Sequence, residues 1–94
     1  MDKLLILYTM KGCPFCDMMK GQLKESEIQY HERDIDEHKD EYDMFVEITE
    51  NDYVPAFMIV ESPGEEPSSL LFAPDRDFND ITEGIDIIKK HLLV

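Results

Sequence analysis

Basic residues are scarce: 9 Lys and Arg stand against 22 Asp and Glu, a formal charge of −13 with His neutral. Such a field repels the phosphates that dominate nucleic-acid affinity, which excludes direct DNA or RNA binding. Long apolar runs are lacking too. None outlasts Leu4 to Tyr8, far short of the roughly 20 residues that span a bilayer or of a comfortable signal-peptide core. A soluble, cytoplasmic chain without membrane contact is expected. With 94 residues there is room for one domain, spanning 1–94, and none for a separate module. Only two cysteines occur, too few for a secreted disulfide scaffold, and their spacing suggests chemistry more than stapling.

Apolar residues make up 43% of the chain, enough for a core despite the acidity, which otherwise invites disorder. Lys3 to Tyr8 is nearly continuous in apolar character, as in a central strand covered on both faces. From Pro14, a residue suited to a first helical turn, Phe15, Met18, Met19 and Leu23 step by three and four and predict one face of a helix. Ile28 to Ile35 alternates loosely, as a half-exposed strand does. Asp36 to Thr49 carries Tyr42, Phe45, Val46 and Thr49 at helical spacing with acids on the other faces. Pro55 opens a buried strand, Ala56 to Val60, since proline cannot donate within a ladder. The turn formers Ser62 to Pro67 then return the chain antiparallel through Leu70 to Phe72. Phe78, Ile81, Ile85, Ile88 and Leu92 mark a last helix, with Asp77 placed to cap it. The spacing of Met10, Met18, Met19 and Met58 makes most of them core filler.

The expected order is βαβαββα. A helical crossover makes strands 1 and 2 parallel, and a hairpin makes strands 3 and 4 antiparallel. The fold class is three-layer α/β with a mixed four-stranded sheet.

Cys13-Pro14-Phe15-Cys16 follows a buried strand and opens a helix. A Cys there meets the positive end of the helix dipole and unpaired backbone N–H groups, both of which favour thiolate over thiol. At an ordinary pKa of ~8.5 only about 3% of a thiol is ionised at pH 7, whereas at ~5 nearly all is. Nucleophilicity falls with pKa, so the gain in rate is smaller than the gain in population, but the sulfur also leaves more easily. Cys13 is thus the candidate nucleophile. Cys16, about one turn deeper, is placed to resolve a mixed disulfide on Cys13. Lys11 is either a cation for the thiolate or an anionic substrate, or an ordinary surface lysine. Zinc or iron needs more ligands than the cysteine pair supplies, and His31, His38 and His91 are scattered over separate elements, so no metal is expected.

Tyr8 to Cys16, with Tyr53-Val54-Pro55 before the third strand, resembles the dithiol glutaredoxins over nearly the whole chain. The usual tetrad there is Cys-Pro-Tyr-Cys, so Phe15 lacks a hydroxyl. The resemblance implies a thioredoxin-like fold and thiol–disulfide oxidoreductase activity with no bound cofactor and glutathione as co-substrate. It implies a cis Pro55, with the Val54 backbone holding a substrate cysteine, and a glutathione site drawn from Lys11, Phe15, Tyr53, Val54, Pro55 and Asp80. Implied partners are glutathione and disulfide-containing or glutathionylated proteins, met by a monomer. The chain departs from the family where a diglycine stretch opens the last helix: Arg76-Asp77-Phe78-Asn79-Asp80 stands there instead. Asp80 either accepts the ammonium of glutathione or simply favours the helix dipole. The same departure motivates an electron donor to one enzyme, such as a ribonucleotide reductase, recharged by thioredoxin reductase. A non-catalytic acidic adaptor is the alternative of another class.

Overall fold

The computed structural model describes residues 2–62 and 68–92. Its elements are β1 (Asp2–Thr9), α1 (Pro14–Glu25), β2 (His31–Asp34), α2 (Lys39–Thr49), β3 (Ala56–Ser62), β4 (Ser68–Phe72) and α3 (Ile81–Leu92), in the βαβαββα order that the sequence suggests. The strands form one mixed sheet, β2-β1-β3-β4. β2 runs parallel to β1, with Ile6 opposite His31 and Thr9 opposite Asp34, while β3 runs antiparallel to both β1 and β4. The turn residues 63–67 lie outside the described residues.

β1 and β3 are the inner strands, and their apolar runs serve two faces at once. Leu5, Leu7, Phe57 and Ile59 point to one side, where they meet Met19 and Leu23 of α1 and Ile81, Ile85 and Ile88 of α3. Ile6, Tyr8 and Ala56 point to the other and meet Tyr42 and Phe45 of α2. This is the three-layer thioredoxin-like α/β arrangement. Burial of each large apolar side chain contributes about 1.5–3 kcal/mol over leaving it exposed, so the face that carries α1 and α3 is the firmer support for what α1 presents.

Several boundaries differ from the sequence expectation, each for a local reason. The second strand starts at His31, not Ile28. Glu27 adopts a left-handed conformation (φ 57°), the Ile28 N–H reaches back to the Leu23 carbonyl (2.9 Å), and the Glu27 N–H reaches Lys24 (3.1 Å). This paired closure ends α1 and tucks Ile28 against Leu23. The second helix starts at Lys39, not Asp36, because the Asp34 carboxylate accepts from the Asp36 N–H (2.8 Å) and its carbonyl from His38 (2.9 Å), holding a turn. The last helix starts at Ile81, so Phe78 precedes it, yet Phe78 is buried and stacks on Phe57 at 5.4 Å.

The methionine and α1 expectations are corrected in part. Met19 is fully buried and Met58 half-buried, whereas Met10 and Met18 are exposed. The buried stripe of α1 is Cys16, Met19 and Leu23. Phe15, Met18 and Gln22 lie one residue earlier, about 100° around the helix, and face a groove instead.

Candidate functional site

The turn from β1 into α1 passes through Gly12 at φ 74°, a left-handed conformation suited to glycine. Its root is fixed by Thr9, whose carbonyl accepts from Ile35 (2.9 Å) and whose hydroxyl donates to Glu32 (2.8 Å). Cys13 follows in an extended conformation as the N-cap of α1, with Pro14 opening the helix. Its Sγ accepts the Cys16 N–H at 3.2 Å, and its carbonyl accepts the Asp17 N–H at 3.2 Å. The cap role usually taken by a Ser or Asp oxygen is here taken by sulfur.

Cys13 and Cys16 are joined as a disulfide, with Cα atoms 5.3 Å apart. Cys13 is 7% exposed and Cys16 1%, so Cys13 is the more accessible of the two. Asp17 places a negative charge in the same first turn. Lys20 offsets it, bridging Asp17 at 3.5 Å and Glu32 at 3.0 Å; the Glu32 hydrogen bond is the main reason that the Lys20 ammonium is held above its ordinary pKa.

Ala56 lies opposite Tyr8 across the β1–β3 ladder, which brings the preceding residues to the same sheet end as the cysteine turn. The Val54–Pro55 peptide there is cis. A groove of about 590 Å³ runs between α1 and this segment, with Phe15, Met18 and Gln22 on one side and Tyr53, Val54 and Pro55 on the other. Its far wall is Pro74 and Asp75 with Asn79 to Thr82. Of the residues proposed from sequence, Phe15, Tyr53, Val54, Pro55 and Asp80 come together around this groove. Lys11 is exposed on the turn and is not among the lining residues.

Asp77 does not cap α3. Its carboxylate accepts from the Ala73 N–H and from Arg76, each at 2.9 Å, and so braces the loop. The cap is Asp80: its carboxylate accepts the Glu83 N–H (2.8 Å), and Glu83 in turn accepts the Asn79 N–H (3.1 Å). Within this loop the N–H groups of Asp75, Arg76, Asp77 and Asn79 all find internal acceptors. They are spent on the loop's own fold.

Asn51 is the residue that the sequence did not single out. Its side chain accepts the Tyr53 N–H (2.9 Å) and donates to the Pro74 carbonyl (2.6 Å). It ties the two walls of the groove to each other. An Asn among turn formers carries no signal of that bridge, because its acceptor lies 23 residues away in sequence.

The glutaredoxin family model matches residues 5–61, which carry the cysteine pair and the Val54–Pro55 segment. No curated protein matches this chain. A solved structure described as "Structure of a malarial protein" aligns with 98% of this chain and 99% of its own at 16% identity, with a TM-score of 0.54. That likeness is one of fold. The far wall of the groove, residues 74–82, lies beyond the family match.

Proposed function

The chain belongs to the glutaredoxin family, and from that premise we propose that it reduces disulfides through a dithiol cycle in which Cys13 attacks and Cys16 resolves. The observation that supports this most is the Cys13 sulfur at the α1 N-terminus, accepting the Cys16 N–H, with the second sulfur in bonding reach. The Cys13 thiolate attacks one sulfur of a substrate disulfide, and the first substrate thiolate leaves and takes up a proton. Cys16 then gives up its proton and attacks Cys13 Sγ, releasing the second substrate thiol. The substrate gains two electrons and two protons, and the Cys13–Cys16 disulfide is left.

Two equivalents of glutathione reopen it. The first attacks Cys13 and frees Cys16, and the second removes the glutathionyl group as oxidised glutathione. Glutathionylated proteins are reduced through Cys13 alone. The proposed setting is the cytoplasm, where glutathione keeps thiols reduced. A second reading is favoured by the internally bonded loop that replaces the diglycine stretch: recharging by a flavoprotein thioredoxin reductase, with electrons delivered to a dedicated enzyme such as a ribonucleotide reductase. Turnover of a small mixed disulfide, driven by glutathione with glutathione reductase and separately by thioredoxin reductase, tests the two. Glutathione-driven turnover supports the first reading, and activity only with the flavoprotein supports the second.

A further inference from the structure

We propose that the groove between α1 and the Tyr53-Val54-Pro55 segment selects protein disulfides whose cysteine is flanked by a large apolar side chain and a lysine or arginine, over the anionic glutathionyl group. The inference rests on the dithiol reading. Phe15, Met18 and Tyr53 are 60%, 51% and 57% exposed, and all three line the one groove. Large apolar side chains exposed singly are ordinary, but their convergence on a concave surface marks a contact site. Pro55, Pro74 and Ile81 extend the same apolar lining. An apolar side chain next to the substrate cysteine has a seat there; glutathione, a cysteine between a γ-linked glutamate and a glycine, has no such side chain to fill it.

Charge points the same way. Among the described residues that line the groove, Asp75 and Asp80 are the only acids, and no Lys, Arg or His is there. Among the described residues neither has an ion-pair partner, and Asp75 makes a hydrogen bond there through its backbone N–H alone. Two backbone donors on this wall, the N–H groups of Asp75 and Asn79, are already bonded internally, to Phe78 and to Glu83. Glutathione brings two carboxylates and one ammonium to this wall. A segment with Lys or Arg brings the opposite sign.

The test uses pre-reduced protein and four peptides, each closed by an internal disulfide between a fluorophore and a quencher, with Phe–Lys, Ser–Lys, Phe–Glu or Ser–Glu beside one cysteine. Oxidised glutathione is the fifth substrate. Single-turnover rate constants should favour Phe–Lys over Phe–Glu by about tenfold at low salt, less at high salt, and over oxidised glutathione as well. Asp75→Asn with Asp80→Asn should bring the Lys-to-Glu ratio to within about twofold of unity. Asn keeps both the left-handed backbone at position 75 (φ 64°) and the helix cap at 80. Removing the same charge from α2, by Asp43→Asn with Glu47→Gln, should leave that ratio high. If it falls equally, the preference belongs to the net charge of the molecule and the groove assignment is overturned. Met18→Ser with Tyr53→Ser should lower the Phe-to-Ser ratio. Equal rates on all four peptides leave the dithiol reading intact and overturn this inference; reduction of none overturns both.

Discussion

The backbone N–H of Cys16 points at the sulfur of Cys13 from 3.2 Å, so the first turn of α1 is capped by a cysteine. A thiolate accepts that bond better than a thiol does, and the helix dipole adds to the preference. Cys13 in the reduced protein should titrate well below a free cysteine thiol. The rate of iodoacetamide alkylation against pH, with Cys16→Ser to isolate the site, reads this. An alkylation rate that rises only above pH 8 would contradict the cap argument.

Asp80 is the α3 cap and a wall of the groove at once. Asp80→Ala removes the acceptor of the Glu83 N–H and should cost about 1 kcal/mol, lowering Tm by roughly 4–8 °C in a domain of this size. Asp80→Asn should keep most of that stability. Thermal unfolding of both variants separates the cap from the charge; equal losses would show that the cap bond is not what Asp80 contributes.

Gly84 lets α3 lie close against α1. A Cβ there would stand 2.8 Å from Met19 Cε and 3.3 Å from Phe78 Cδ2. Gly84→Ala displaces only the flexible tip of Met19 and gains about 0.5–1 kcal/mol of helix preference, so the two effects nearly cancel. Gly84→Val adds two more methyl groups where Met19 and Phe78 already fill the core and should cost about 1–3 kcal/mol. Urea unfolding of the pair checks this, and an unaffected Val variant would mean that the helices separate freely.

Glu32 accepts from the Thr9 hydroxyl and from Lys20, and these partners, Thr9 chiefly, hold its carboxyl below the ordinary glutamate range. A folded-state value below the unfolded one stabilises the fold above about pH 4.5, and that stability is lost as pH falls through the lowered value. The site is exposed, so the gain is at most about 1 kcal/mol. The stability difference between the native protein and Glu32→Gln should be full at pH 6 and vanish on acidification. A difference that persists at pH 2 would assign the effect to packing.

The element order was legible because β1 and β3 carry dense apolar runs and the helices carry three-and-four spacing. The cysteine pair was legible because a strand, a turn and a proline frame it. What was not legible depended on choices between near-equivalent neighbours. Phe15, Met18, Met19 and Leu23 fit one stripe on paper, yet the buried stripe is set by Cys16. Asp77 and Asp80 are both acids before a helix, and tertiary contacts decided between them, since Ala73 and Arg76 claim Asp77. Ile28 reads as strand, but a left-handed Glu27, without the usual glycine, turns it back onto α1. The cis Val54–Pro55 bond followed from the family resemblance and from nothing in the local residues.

The division of labour between the two sulfurs is tested most directly by trapping the mixed disulfide. Reduced Cys16→Ser and Cys13→Ser are mixed with a disulfide peptide, quenched in acid and mapped by mass spectrometry. A stoichiometric adduct is expected on Cys13 in the first variant and essentially none in the second. An adduct on Cys16 at a comparable rate would contradict that division of labour.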